Sequence, residues 1–297
     1  MSGMEERDRR LRLPGELPTQ WELVAARLAT LYEAYDIRHL DPDPLVLVRE
    51  FDDPRDQEIA GLLASAFAYG GVRTIMRDVR DLFRRMDNAP HALVSRFDPA
   101  TDARRFEGWY HRLHRGEDVA ALCWATRRAL EAYGSLGALF RTGFDADHGD
   151  IAPALGAFVG FLRAANPAPV RPGRFYGHLL SSPEDGSACK RMNLYLRWMV
   201  RRSSPDLALW QDIPPSHLVI PLDTHVARIS RAIGLARRTT PNWYMAREIT
   251  DALRLIDPCD PVKFDHALSR LGILDHCPKK RDLSRCAACL IHDICAL

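Results

Sequence analysis

Residues 184–201 read EDGSACKRMNLYLRWMVR. An irregular segment at residues 165–186 leads into this stretch, and from Ser187 onward the apolar residues recur at three- and four-residue spacings. Such spacing is typical of an amphipathic helix, whose apolar residues share one face. The stretch therefore predicts a loop that passes into a helix beginning near Ser187. It also places Lys190, one of only four lysines in the chain, close to the start of that helix.

Helical spacing extends over most of the remaining chain. Asp53 and Pro54, for example, form the N-cap and first-turn pair that commonly opens a helix. No run of residues alternates convincingly between apolar and polar side chains as a strand would. The sequence therefore predicts an all-α fold. Residues 203–222 contain four prolines, which break helices, and so indicate a connection between two packed units.

Composition places the chain among globular proteins. It has 297 residues, of which 46% are hydrophobic and 27% charged, and this balance excludes a disordered chain. The net charge of +2 hides an asymmetry: from Lys190 onward 17 basic residues face 11 acidic ones, whereas the preceding part has 24 against 28. A basic C-terminal third is compatible with nucleic-acid binding, and a solvated basic face explains it equally well.

Two further patterns bear on compartment and membrane. The N-terminal residues MSGMEERDRRLRLPGEL are charged and lack the apolar core of a secretory signal. The longest apolar stretch, residues 151–162, is too short to cross a bilayer. We therefore expect a cytoplasmic protein, with no membrane partner, whose thiols stay reduced.

Four of the seven cysteines stand close together near the C-terminal end, with the spacing C-x8-C-x2-C-x5-C. They are Cys277, Cys286, Cys289 and Cys295. In a reducing compartment such clustering indicates a metal site, and four thiolates suit either a structural zinc ion or a 4Fe-4S cluster. The spacing does not choose between the two, and a cysteine-rich tail without metal is the remaining alternative.

Three motifs occur in order along the chain and together resemble a known superfamily. They are Gly186-Ser187-Ala188-Cys189-Lys190, then Asp223-Thr224-His225, then the four cysteines. This order resembles the helix-hairpin-helix DNA glycosylases, and within them the endonuclease III branch with its C-terminal 4Fe-4S cluster. The segments GSACKRMNLYLRWMVR, PLDTHVARI and DPVKFDHALSRLGI are still more similar to a bacterial family known mainly by a domain-of-unknown-function label, over about residues 20–275.

The glycosylase resemblance implies a fold with two helical lobes. Residues 51–222 would form a helical barrel that carries the hairpin, for which the matching residues are Gly186-Ser187-Ala188-Cys189-Lys190. Residues 16–50 and 223–297 would form a terminal lobe that carries the cysteine cluster loop. Double-stranded DNA would lie in the cleft between the lobes, bound by a monomeric protein, with structured RNA as a second possible partner.

The resemblance also implies an excision reaction in which Lys190 and Asp223 are catalytic. Cleavage of an N-glycosidic bond builds positive charge at the sugar C1′, and a nearby carboxylate stabilises that state. A neutral amine that attacks the same carbon gives a Schiff base, which permits strand cleavage by elimination. The expected function is thus a DNA repair glycosylase, with or without AP lyase activity, acting on a damaged base such as an oxidised one.

Further residues follow from the same resemblance. The DNA-binding set comprises Gly186, Ser187, Ala188, Arg191, Lys279, Lys280 and Arg281. The aromatic residues proposed to stack on a base that leaves the duplex are Tyr195, Trp198 and Trp210, together with Trp243.

The sequence also departs from the glycosylase pattern. The hairpin has Ala188 where glycosylases usually have glycine, and the segment ASAFAYGG lacks the glutamine that fills the gap left by the extruded base. These differences leave two alternatives open. One is a catalytically silent DNA- or RNA-binding protein on the same scaffold, and the other is a cluster-dependent redox or assembly factor.

Overall fold

The structure is a computed structural model, and it describes residues 19–165, 171–274, 277–278 and 280–296. Most of these residues lie in helices, as predicted. The α-helices are α1 Thr19–Ala34, α2 Pro44–Val48, α3 Pro54–Ala66, α4 Val72–Arg85, α5 Pro90–Val94, α6 Pro99–Asp102, α7 Gly116–Tyr133, α8 Leu136–Thr142, α9 Ala152–Ala164, α10 Tyr176–Leu179, α11 Lys190–Val200, α12 Thr224–Ala232, α13 Trp243–Ile256, α14 Asp265–Ile273 and α15 Leu283–Cys286. Short 3-10 helices are Ile37–His39, Ala103–Phe106, Pro183–Asp185, Pro215–His217, Pro261–Phe264 and His292–Ile294.

Local chemistry sets where these helices begin. The Asp53 carboxylate accepts a hydrogen bond from the Arg55 backbone N–H, and Pro54 occupies the first helical position of α3. A carboxylate at this place satisfies a donor that has no partner within the helix, and proline gives up no hydrogen bond there. Helix α3 therefore begins where the Asp-Pro pair predicted it.

The helices pack as two groups around one continuous core. Helices α2 to α5, α7 to α9 and α11 form the first group, in which α11 lies against α3. Helices α1, α12, α13 and α14 form the second, in which α12 lies against α14 and α1 also packs on α14. Buried apolar residues run from one group into the other without a break. The residues of α2 pack on α3 and α4, although they precede the predicted boundary at residue 51.

One element departs from a purely helical fold. Strands β1 (Tyr110–His111) and β2 (His114–Arg115) pair antiparallel to form a short ribbon in front of α7. The turn between them places Arg112 in the left-handed region with a φ of 54°. Two-residue strands are too short for an alternating pattern to be visible in the sequence. None of the described helices is both long and apolar enough to cross a membrane.

Candidate functional site

A cleft of about 580 Å³ separates the two groups of helices. Lys190 from the first group and Asp223 from the second both line it. The two residues that the sequence singled out for catalysis are therefore brought together across one cleft. The other described lining residues are Pro42, Asp43, Pro44, Ala68, Tyr69, Gly70, Val72, Ile75, Ala188, Leu194, Arg197, Pro221, Leu222, Thr224, His225, Pro241, Asp265, His266, Ser269, Arg270 and Ile273.

Lys190 is the first residue of α11. The helix begins at Lys190 and not near Ser187, because Gly186 and Cys189 have positive φ values of 70° and 49° that hold the intervening residues outside the helix. The Lys190 side chain is half-buried, and its Nζ donates a hydrogen bond of 2.9 Å to the Ala68 carbonyl oxygen. This bond holds the amine at the wall of the cleft.

Asp223 is the N-cap of α12. One carboxylate oxygen, Oδ1, accepts hydrogen bonds of 2.8 Å from the backbone N–H groups of His225 and Val226. Within the described part of the chain, Oδ2 accepts no hydrogen bond. The cap therefore fixes the carboxylate in the cleft and leaves one oxygen to face a ligand.

A second carboxylate, which the sequence did not single out, lies in the same cleft. Asp265 opens α14, is only 2% exposed and accepts a hydrogen bond from Arg197. Burial, together with the nearby charge of Asp223, raises the pKa of Asp265 to about 6, although Arg197 opposes the shift. Asp265 therefore changes its charge close to neutral pH. The next residue, His266, is also buried, and burial lowers its pKa to about 3, so it lines the cleft as a neutral imidazole.

The hairpin stands beside Lys190 and presents backbone donors. Among the described residues, the N–H groups of Ser187 and Ala188 have no hydrogen-bond partner. Gly186 anchors the turn to the second group of helices, because its carbonyl oxygen accepts a hydrogen bond of 3.4 Å from the Trp243 backbone N–H. Adjacent unpaired amides next to a left-handed residue form the kind of concave surface that binds anions.

Arg191 does not belong to the nucleic-acid surface that the sequence suggested. It is 7% exposed, and its guanidinium donates to the carbonyl oxygens of Ala66 and His178 and lies over the Tyr69 ring. Burial lowers the pKa of Arg191 to about 10, so the group is still charged at neutral pH. Its contacts fix the chain beneath the cleft, and little of its side chain reaches solvent.

The predicted base-stacking residues lie in the core. Trp198 is fully buried, as are Tyr195, which donates to the Glu58 carbonyl oxygen, and Trp210, whose Nε1 donates to the Glu58 carboxylate. These side chains fill the interior of the first group of helices and line no part of the cleft. The helical spacing of the aromatic residues reflects core packing, which is the commoner cause of such a pattern.

Tyr69 is the aromatic residue that the structure places in the cleft. It follows α3, is partly exposed and donates a hydrogen bond of 3.2 Å to the His111 carbonyl oxygen. The sequence signal was present in AFAYGG, where the tyrosine stands directly before the glycine pair at residues 70 and 71. In the sequence this segment stands out for the glutamine that it lacks, and not for its tyrosine.

The four clustered cysteines line a single cavity near the C-terminal end. Its walls also include Ile229, Ala232, Pro278, Arg281, Ile291 and His292. Arg228 of α12 reaches this cavity and donates hydrogen bonds to Cys277 Sγ at 3.0 Å and to the Pro278 carbonyl oxygen at 2.7 Å. A cationic side chain therefore lies against one of the four clustered sulfur atoms. The sequence did not single out Arg228.

The thiols of the cavity lie within electrostatic reach of one another. Burial raises the pKa of Cys289, and the other three clustered thiols raise it further. Within the described residues, no three Cys, His, Asp or Glu side chains converge closely enough to hold one metal ion. Arg281 is exposed at the cavity wall, Lys280 is exposed beside it, and Lys279 lies outside the described residues.

Residues 43–274 match the family model described as "Protein of unknown function (DUF2400)". No curated protein and no solved structure matches the chain. The matched range contains Lys190 and Asp223 and ends before the four cysteines.

Proposed function

Because the chain belongs to the DUF2400 family of proteins of unknown function, we propose a function from the chemistry of its cleft: a DNA glycosylase that excises a damaged base through Lys190 and Asp223. The observation that carries this proposal is the presence of the amine and the carboxylate in one cleft between two groups of helices. The order of the hairpin, Asp-Thr-His and cysteine motifs, which resembles that of the endonuclease III branch, supports it.

The two residues would divide the chemistry between them. The Lys190 side chain gives up a proton to solvent and its amine attacks the sugar C1′, the bond from C1′ to the base nitrogen breaks, and the base leaves with the bonding electrons and takes up a proton. Asp223 stabilises the positive charge that develops at C1′, through the oxygen that its cap leaves unoccupied. The adduct then loses a proton from its nitrogen, and the bond from C1′ to the ring oxygen O4′ breaks as that oxygen takes up a proton, which gives a Schiff base at C1′. Water hydrolyses the Schiff base, or elimination resolves it with strand cleavage.

The size and lining of the cleft suit an extruded nucleotide. Its volume of about 580 Å³ is within the range of small-molecule sites. Tyr69 offers a ring edge or face to a base, and the neutral His266 lies in the same wall.

The hairpin would hold the DNA backbone next to the cleft. The unpaired amides of Ser187 and Ala188 can donate to phosphate oxygens, which are the usual acceptors for such groups. Lys280 and Arg281 add positive charge at a second place on the same half of the chain. Ala188, in place of glycine, does not remove an amide, and so leaves this contact available.

We propose a 4Fe-4S cluster as the resident cofactor of the C-terminal cysteines, with zinc as the alternative. Four thiols on one cavity are the donor set of either group, and Arg228 stands against one of them. When bound, the cluster supplies cross-links within the tail and no step of base excision. The ion pair between Arg27 and Asp293 fastens the tail to α1 as well.

Borohydride trapping tests the proposal. Wild-type protein, Lys190→Ala and Lys190→Arg are incubated with duplexes carrying an abasic site, 8-oxoguanine, uracil or a ring-opened purine, and the covalent adducts are counted. We expect an adduct with the wild type alone, because arginine keeps the charge but does not form the Schiff base. An adduct of equal yield with Lys190→Ala would overturn the assignment of the nucleophile. Absence of both adduct and base release on every duplex would overturn the enzymatic function.

The second candidate is a catalytically silent nucleic-acid-binding protein on the same scaffold. The hydrogen bond from Lys190 Nζ to the Ala68 carbonyl oxygen favours it, because that bond holds the side chain against the wall of the cleft. In this case the wild type binds duplex DNA or structured RNA without releasing a base, and Lys190→Ala weakens binding only modestly.

A further inference from the structure

A groove rich in arginine opens next to the β1–β2 ribbon. Its walls contain Arg112 and Arg115 on one side and Arg171 and Arg174 on the other. All four side chains are exposed. Since the two sides belong to segments far apart in sequence, the fold itself assembles this concentration of positive charge.

None of the four arginines forms an ion pair with a described residue, although many arginines elsewhere on the described surface do. Three of them instead lie over aromatic rings: Arg112 over Tyr69, Arg115 over Tyr110 and Arg174 over Phe175, at 5.9, 5.7 and 5.6 Å from the ring centroids. Their guanidinium groups are held in place without neutralisation. A surface of this kind is electrostatically complementary to an anion.

Two acidic residues also line the groove and do not cancel this charge. Asp118 is 1% exposed, and its Oδ2 lies 3.2 Å from His114 Nδ1 and accepts from the Arg115 backbone N–H. Its polar contacts therefore point into the protein. Glu117 is exposed and is the one carboxylate at the groove surface among the described lining residues.

Exposed apolar side chains accompany the arginines. Phe175 is 40% exposed and Leu113, at the turn of the ribbon, is 47% exposed, and both line the groove. Tyr110, which is 54% exposed, stands on the same ribbon. Positive side chains interspersed with exposed rings are the combination by which proteins hold a nucleic-acid strand, with phosphates on the cations and bases against the rings.

The groove lies next to the cleft at the segment Tyr69-Gly70. Both residues line the cleft, and Arg112, which lines the groove, lies over the Tyr69 ring. The approach is close enough that a Cβ on Gly70 would come within 2.7 Å of Arg112 Cδ, and Gly70 has a φ of 100°. A strand that leaves the cleft past Tyr69 thus meets Arg112 first and then the other arginines.

We infer that this arginine groove is a second DNA-binding surface, which takes the backbone of the strand whose nucleotide occupies the cleft, with an unpaired base against Phe175. The inference rests on the proposed function, since it names where the bound strand continues. It assigns to the ribbon and to residues 171–175 a role that the three sequence motifs do not indicate.

Salt-dependent binding tests the inference. The variants are Arg115→Gln/Arg174→Gln, Phe175→Ala and the control Arg96→Gln/Arg237→Gln, whose arginines are exposed, lie outside the groove and form no ion pair with a described residue. Binding to a labelled duplex with an uncleavable abasic-site analogue is measured by fluorescence anisotropy between about 50 and about 200 mM salt. Thermal melting verifies that every variant is folded.

In Arg115→Gln/Arg174→Gln, the slope of log K against log salt concentration should be shallower by about 1.4 to 1.8, because each of the two lost phosphate contacts contributes about 0.7 to 0.9 to the slope. The control pair should keep the wild-type slope, and Phe175→Ala should weaken binding about 5-fold or more. A groove variant with the slope and affinity of the control would overturn the inference. If that variant still traps DNA through Lys190, the proposed function stands without it; if the wild type binds no DNA, both fall.

Discussion

Replacing Asp223 separates the two roles that the structure gives to one carboxylate. Its Oδ1 caps α12 with two hydrogen bonds of 2.8 Å, whereas the proposed catalytic role uses its negative charge. Asparagine retains a capping oxygen of similar quality and loses the charge, and alanine loses both. Asp223→Asn and Asp223→Ala therefore form a matched pair.

The magnitudes follow from these contacts. Loss of the cap in Asp223→Ala should lower the free energy of unfolding by about 1 to 2 kcal/mol, or about 2–4 °C in melting temperature. Asp223→Asn should stay within about 0.5 kcal/mol of wild type, because asparagine and aspartate cap about equally well. Both variants should release the base at least about a hundredfold more slowly, because each lacks the charge that faces the developing cation.

The assays are thermal melting by circular dichroism and base release under single-turnover conditions, with the variants at saturating concentration. A further readout is the Asp265 carboxyl signal in an NMR titration: without the Asp223 charge, its pKa should fall below about 6. Full activity in Asp223→Asn would refute the electrostatic role. A loss of stability in Asp223→Asn as large as in Asp223→Ala would refute the interpretation that asparagine can replace Asp223 as the N-cap of α12.

Three further predictions concern the metal site, the pH dependence and the packing of α12 against α14 within the second group of helices. Cys286→Ser should reduce the amount of bound metal and destabilise the C-terminal tail, and absorbance near 400 nm distinguishes a 4Fe-4S cluster from zinc. An unchanged metal content and melting temperature would contradict the proposed metal site. Reversible reduction of the cluster without nucleic acid would favour the redox alternative. The pKa of Asp265 is raised on folding, so the uncharged form is favoured in the folded state and the residue disfavours folding as pH rises from about 4 through about 6. The rate of base release should rise over the same pH interval, because the Asp265 carboxyl loses its proton and adds negative charge to the cleft. If Asp265→Asn has the same pH–rate profile as the wild type, Asp265 is not the group that titrates. Gly272→Ala should lower the free energy of unfolding by about 1–3 kcal/mol, because a Cβ there would lie 2.5 Å from the His225 side chain and push α12 away from α14. A denaturant titration measures this loss. A variant as stable as the wild type would show that the two helices separate easily.

Local signals in the sequence were sufficient for part of the site. Asp223 follows Pro-Leu and precedes a helical pattern, which is the chemistry of an N-cap, and it caps α12. The sequence predicts that α11 begins near Ser187, three residues too early, because Cys189 is not a residue type that signals a positive φ. The sequence around Asp265 does not indicate its role in the cleft, because its pKa is raised by burial and by the charge of Asp223. Its own segment does not show which distant residues pack against it.

By itself, the sequence determined the helical class of the described chain, the start of α3, and the choice of Lys190 and Asp223, which both line the cleft. These depend on spacing along the chain and on contacts within a few residues. The tertiary structure decided which aromatic side chains are core, that Arg191 is buried, and that four unpaired arginines meet in one groove. Those outcomes depend on which distant segments pack together, and a side chain's exposure and charge partners are properties of that packing.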